Sequence, residues 1–308
     1  MRKKMKNKAK SSSVENYIDG LITKSIGGIY YVEAPNGLYS CKARGVFRKR
    51  GTTPLVGDRV TIDVIAEYEG VIVKVHERKN KLVRPPLANL DQLILVVSTC
   101  EPLPNLLVLD KLIAIAEHKG IEPIIVITKI DLDEHEPLED IYSAAGFDVY
   151  VSDNIKGDNV AEITALLEGK VSGFAGNTGV GKSSLLNAID GTLSIETGEI
   201  SRKLGRGRHT TRHAELYKLD NGGYIADTPG FSALETGRYD VILKHEIEDC
   251  FREFEPYLGQ CKFRDCAHIN AKDCAIQDAV ANGEIGKTRY ENYVVMYGEA
   301  EQIKEWEL

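Results

Sequence analysis

Two stretches of the chain carry residue types at spacings that chemistry requires. The first is Gly176-Asn177-Thr178-Gly179-Val180-Gly181-Lys182-Ser183-Ser184. Two glycines stand five positions apart, and Lys and a hydroxyl residue follow directly. The glycines let the backbone curl around phosphate oxygens and aim its N–H groups at them. A helix starting there adds favourable partial charge for an anion. Lys182 supplies a point charge to the outer phosphates, and the Ser183 hydroxyl supplies a ligand for magnesium. The pattern points to a nucleoside triphosphate without saying which one. The second stretch places Cys261, Cys266, His268 and Cys274 in the spacing C-x4-C-x-H-x5-C. Three thiolates and an imidazole suit a closed tetrahedral zinc site with a structural role. Lys262, Arg264 and Lys272 lie inside this knot, which suits contact with RNA phosphates as well as plain solubility.

A base-reading pattern lies upstream. Thr128-Lys129-Ile130-Asp131 follows the apolar run Ile121 to Ile127. A carboxylate such as Asp131 can accept from both N1–H and the 2-amino group of guanine, with Lys129 covering the ring face. Ser152 and Asp153 follow the next apolar stretch, where a loop backbone N–H can meet the guanine O6. Downstream of the phosphate loop, "IADTPGF" ends an apolar stretch in Asp-x-Pro-Gly. Asp227 there is the expected magnesium-side acid, and the Gly230 N–H meets the γ-phosphate. Between them, "GRGRHTTRH" offers Thr210 or Thr211 as a further magnesium ligand. Phe231 stands where Ras-like enzymes place a water-orienting Gln, so another group must do that work. His209 is the candidate within the chain, with an RNA phosphate contact as its alternative role.

These elements occur in the order base, base, phosphate, switch, switch, a circular permutation of a GTPase. The rearrangement is physically allowed, because each motif sits on a loop at the C-terminal edge of a parallel sheet. With "TKID", "GNTGVGKSSLLN", "GRGRHTTRH", "DTPGF" and the metal knot, nearly the whole chain resembles the circularly permuted, ribosome small-subunit-dependent GTPases (RsgA family). The resemblance implies GTP hydrolysis to GDP and phosphate, stimulated by the small ribosomal subunit, and a part in late maturation of that particle. It further implies small-subunit rRNA as partner, structural Zn2+, and Mg2+ with GTP. Other readings are an RNA-binding nucleotide switch and a permuted GTPase acting on another ribosomal particle. Two positions depart from the usual pattern. Thr128 stands where many GTPases have Asn; lacking the amide, it predicts weaker nucleotide binding with base choice unchanged. Asp153 stands where Ala is usual, a change that a backbone N–H contact survives.

The elements that must position these loops follow from periodicity. Residues 15–80 alternate apolar and polar in short runs, with "PNG" at 35–37 as a hairpin turn. A five-stranded OB-type barrel fits, although the alternation alone does not separate it from an SH3-like barrel. "RPPLANLDQ" at 84–92 reads as a linker. Residues 81–236 alternate strands and helices, the pattern of an α/β domain with a mainly parallel sheet. Residues 237–308 read as a mainly helical zinc-binding domain, and 1–14 as a basic flexible tail. The expected architecture is therefore multidomain: an all-β barrel, a permuted P-loop GTPase and a small metal domain.

The formal charge of −7 hides an asymmetry. The first ten residues hold six Lys or Arg and no acid, which leaves −13 on the rest. Such an arm is a solvated tail or a contact to nucleic-acid phosphates. The apolar runs are too short to span a bilayer, and the basic N-terminus lacks the apolar core of a secretory signal. A cytosolic monomer without a membrane partner is expected. Six cysteines in a reducing compartment argue against disulfides, and Cys41, Cys100 and Cys250 read as ordinary thiols.

Overall fold

The computed structural model of the chain describes residues 16–49, 51–153, 157–193, 214–227 and 240–304. It divides into two compact units, one of residues up to Pro54 with Asp58–Glu77, the other of Leu55–Gly57 with Arg78 onward.

The first unit is a five-stranded barrel. Its strands are β1 (Tyr17–Ile26), β2 (Ile29–Ala34), β3 (Gly37–Ala43), β4 (Arg59–Ala66) and β5 (Glu69–Val75), with a short helix α1 (Val46–Lys49) between β3 and β4. Period-two alternation builds the core: on β2, Tyr30, Val32 and Ala34 are buried while their neighbours are more exposed. Ile22, Val60, Ile62 and Ile72 join them inside. Pairing runs β1-β2-β3-β5-β4 and closes through β4 on β1. Only β3–β5 is parallel, and with the β3–β4 helix this is the OB order. The Pro35-Asn36 pair forms the tight turn between β2 and β3, as its sequence predicts.

The second unit opens with a small hairpin, β6 (Lys81–Leu82) and β7 (Leu87–Ala88). The expected linker is therefore ordered from within. Leu87 and Leu90 are buried, and the Asn80 side-chain amide exchanges both hydrogen bonds with the backbone of Leu90. Composition hid this, because Pro85 and Pro86 resemble linker punctuation. Then come β8 (Gln92–Ser98), α2 (Leu106–His118), β9 (Glu122–Thr128), α3 (Glu136–Ala144), β10 (Asp148–Ser152), α4 (Val160–Leu166), β11 (Val171–Ala175), α5 (Lys182–Ile189), β12 (Glu215–Lys218) and β13 (Tyr224–Asp227). Strand order is β10-β9-β8-β11-β13-β12, parallel except for β12. All seven residues of β8 are buried, as a central parallel strand requires. The chain lays β8, β9 and β10 outward, then returns to place β11 on the other flank of β8. That reversal is the topological switch point, where doubly wound sheets bind ligands.

Residues 240–304 pack on α2 within the same unit. Residues 237–308 read as mainly helical, but the stretch before the knot forms two short 3-10 helices, Glu248–Cys250 and Arg252–Tyr257. Phe251 is extended between them, and Pro256 lacks the N–H that an α-helix needs. Two helices follow, α6 (Ala275–Ala281) and α7 (Lys287–Glu301). Phe251, Phe254, Ile276, Tyr293 and Met296 form the core with Ala114 of α2. No helix among the described residues is long and apolar enough to cross a membrane.

Candidate functional site

The phosphate loop leaves the C-terminal end of β11 at the switch point. Gly176, Gly179 and Gly181 have φ of 153°, 87° and 91°, in the region L side chains rarely adopt. Gly176 is constrained twice, since a Cβ there would lie 2.4 Å from the Val96 carbonyl oxygen of β8. Val180 is buried and anchors the loop in the core formed by Ile94, Val126 and Leu185. Asn177 is half-buried, while Thr178 is exposed. Lys182, Ser183 and Ser184 form the first turn of α5, and the Lys182 ammonium lies 3.5 Å from the Gly176 carbonyl across the loop. The result is a glycine-rich concavity ending on a helix N-terminus, with a cation folded over it.

The base-reading loop leaves β9 at the same edge. Thr128 is fully buried and Lys129 takes a left-handed backbone, φ 59°. The turn closes by Leu132 N–H donating to the Lys129 carbonyl at 3.0 Å, which leaves Ile130 half-buried and Asp131 exposed. The Lys129 ammonium donates to the Glu101 carbonyl of the β8–α2 loop. The Thr99 hydroxyl donates to the Lys129 carbonyl at 2.8 Å. The Thr128 hydroxyl donates to the Val180 carbonyl at 2.5 Å, joining the base loop to the phosphate loop. The Thr99 and Glu101 contacts are invisible in sequence, because the β8–α2 loop matches no motif.

Ser152 ends β10 level with Thr128, and both it and Asp153 are buried. Asp227 ends β13, one residue beyond the Ala226–Gly173 pairing with β11. The sheet therefore delivers Asp131, Ser152, Gly176 and Asp227 to the C-terminal ends of β9, β10, β11 and β13, along one edge of the sheet. His209, Thr210, Thr211, Gly230 and Phe231 lie outside the described residues.

The four knot residues converge. One ligand atom from each of Cys261, Cys266, His268 and Cys274 lies within 4.8 Å of the others. Cys261 Sγ and Cys274 Sγ are 3.8 Å apart, and each lies 3.5 Å from His268 Nδ1. A tetrahedral zinc with Zn–S of about 2.3 Å sets its sulfurs roughly 3.8 Å apart, so the donors fit that ion. His268 Nε2 meets the Glu248 carboxylate at 2.9 Å, the arrangement that fixes the tautomer of a metal-binding imidazole. Glu248 lies thirteen positions before Cys261 and has no sequence signal. Cys41 and Cys250 lie apart as buried thiols, which burial pushes up to about 11 and about 12.

Nor does sequence reveal Arg289. It is buried on α7 and reaches Asp110 of α2 at 2.6 Å and Glu253 at 2.7 Å, stacked against Phe251. This fastens the segment that carries the Cys/His cluster to α2, which starts beside the phosphate loop.

Known proteins resemble this chain over nearly its whole length. The family model described as RsgA GTPase matches residues 75–237, and that of the RsgA N-terminal domain matches 19–72. Curated relatives named small ribosomal subunit biogenesis GTPase RsgA include one from Geobacillus kaustophilus, 46% identical, covering 93% of this chain and 98% of the relative. Another, from Caldanaerobacter subterraneus subsp. tengcongensis, is 43% identical over 92% of this chain and 96% of its own length. Among solved structures, YjeQ from Thermotoga maritima aligns with a TM-score of 0.79 at 36% identity, covering 94% of this chain and all of that one. YloQ, described as a circularly permuted GTPase, aligns with a TM-score of 0.77 at 37% identity, covering 94% of this chain and 96% of its own. A strand order that puts the base loop ahead of the phosphate loop, with close relatives over nearly the full length, has one reading: the chain belongs to the RsgA family of circularly permuted GTPases and hydrolyses GTP.

Proposed function

We propose that this GTPase acts on the small ribosomal subunit, binding its rRNA and hydrolysing GTP when the particle stimulates it, in late maturation of that subunit. The observation that carries the reading is the joined edge. The base loop and the phosphate loop are bonded through Thr128 and Val180 at the switch point, in a chain whose relatives carry small-subunit biogenesis in their names. Asp131 accepts from guanine, Lys129 covers its ring, and a backbone N–H near Ser152 and Asp153 meets O6. The loop N–H groups of 176–184 and the Lys182 ammonium hold the phosphates.

Ser183 and Asp227, with Thr210 or Thr211, would hold Mg2+, which neutralises charge on the β- and γ-phosphates when bound. The Gly230 N–H would meet the γ-phosphate, and His209 would orient the attacking water in place of the Gln that Phe231 replaces. The knot of Cys261, Cys266, His268 and Cys274 would hold Zn2+ in a structural role, since four protein donors would leave no open position for chemistry. The protein works in the cytoplasm as a monomer.

Single-turnover GTP hydrolysis with and without isolated small subunits tests this. A large acceleration by small subunits, absent with large subunits, is expected. Equal acceleration by both particles, or by neither, would sink the assignment.

A further inference from the structure

Phe263 lies between Lys262 and Arg264 on the loop joining the first two cysteines of the metal knot. Phe47, Phe147, Phe174, Phe251 and Phe254 are all buried, whereas Phe263 is 55% exposed. Burying such a ring favours folding, and an aromatic core of Phe251, Phe254 and Tyr293 lies in the same segment. The ring is nevertheless left in solvent. A lone exposed apolar residue requires no explanation, but three observations give this one a direction.

Its surroundings are charged. Lys262, Arg264, Asp265, Lys272 and Asp273 are all exposed around it, three cations against two acids. The bare apolar surface is therefore one ring wide, too small for an apolar protein interface. The Lys262 ammonium lies 2.6 Å from the Asp273 carboxylate and 6.0 Å from the centre of the ring. An exposed pair of that kind is weak, so a phosphate can take the lysine over. The loop is also held: Cys261 and Cys266, two of the four converging knot residues, bound it, and Lys262 N–H donates to the Asp273 carbonyl at 3.2 Å. The ring is thus presented on a fixed backbone, with little freedom to lose on binding.

We propose that Phe263 is a stacking platform for an unpaired RNA base, with Arg264 and Lys272 on the flanking phosphates. The proposal rests on the small-subunit reading above and names one contact by which the particle is held.

The test is equilibrium binding of the full-length protein to isolated small subunits across a salt series, with a non-hydrolysable GTP analogue present. Phe263→Ala is expected to weaken binding roughly 5- to 100-fold without changing the slope of log affinity against log salt. Arg264→Ala is expected to lower that slope by about one unit. Phe263→Tyr keeps the affinity and Phe263→Leu does not. Unchanged binding by Phe263→Ala overturns the stacking role alone. So does wild-type binding by Phe263→Leu, which marks an apolar protein contact. Failure of the unmodified protein to bind the particle overturns the small-subunit reading and the platform with it.

Discussion

The Thr128 hydroxyl donates to the backbone carbonyl of Val180 at 2.5 Å, across 52 positions of sequence. Both residues are buried, and each belongs to a different recognition loop. The Val97 carbonyl also lies 3.2 Å from that hydroxyl, but one O–H carries one proton, and the nearer carbonyl takes it. Threonine in place of asparagine therefore keeps a link to the phosphate loop.

Removing the donor while keeping the shape isolates that bond. Thr128→Val leaves the Val180 carbonyl buried and unpaired, an effect of roughly 1–3 kcal/mol. GTP affinity is expected to fall about tenfold in titration calorimetry, and Thr128→Ser to recover most of it. If the valine variant binds GTP like the parent, the two loops are not coupled through this hydroxyl.

Gly176 leaves no room for a side chain. The new Cβ of Gly176→Ala would press on the Val96 carbonyl oxygen at 2.4 Å, with φ already at 153°. Neither β8 nor the loop can retreat, because Val96 is buried in the central strand. Nucleotide binding is expected to drop by more than a hundredfold, read by displacement of a fluorescent GDP. Gly45→Ala, at a position with open space around it, serves as the control. Near-normal binding by Gly176→Ala would show that the loop does not need this close approach.

The parts of the site that sequence revealed are those whose chemistry fixes a local spacing. The phosphate loop needs its glycines within a few residues, so Gly176 to Ser183 is readable. The knot residues Cys261, Cys266, His268 and Cys274 lie within fourteen positions and converge, so their cluster is readable for the same reason. Alternation on β2 and the uninterrupted apolar run of β8 revealed a barrel and a parallel sheet. Contacts made only by folding left no mark. Glu248 and Arg289 reach their partners through tertiary packing, and nothing in their neighbours requires them. The hairpin of Leu82 and Leu87 was hidden by prolines, and the 3-10 segments by helical apolar spacing that Phe251 and Pro256 interrupt.

Two ion pairs join α2 to α7, and burial separates them. Arg289–Asp110 is 1% and 0% exposed, whereas Lys111–Glu299 is 27% and 55% exposed. Arg289→Met strands the Asp110 and Glu253 carboxylates in the core, an effect of about 3–5 kcal/mol. Lys111→Met removes an exposed pair worth about 1 kcal/mol or less. Chemical denaturation should therefore show a large loss for the first and a small one for the second. Arg289→Lys is expected to rescue little, since one ammonium cannot replace a fork that bonds Asp110 and Glu253 together. Comparable losses for the two methionine variants would contradict this division.

Glu248 is expected to govern how tightly the knot holds its metal. Its carboxylate accepts from His268 Nε2 at 2.9 Å while Nδ1 faces the thiols, so it orients the ring and selects the tautomer that leaves Nδ1 free to ligate. Glu248→Ala leaves all four donors in place. Zinc affinity should still fall roughly 10- to 100-fold in competition with a chromophoric chelator, whereas Cys261→Ser, which replaces a ligand, should lose more. Because Glu248 begins the short helix that carries Cys250 into the core against α2, metal removal should also loosen this segment. Amide exchange around 247–254 should speed up on adding a chelator, and more readily so in Glu248→Ala. Equal zinc affinity in parent and variant would reduce Glu248 to a surface partner of the imidazole.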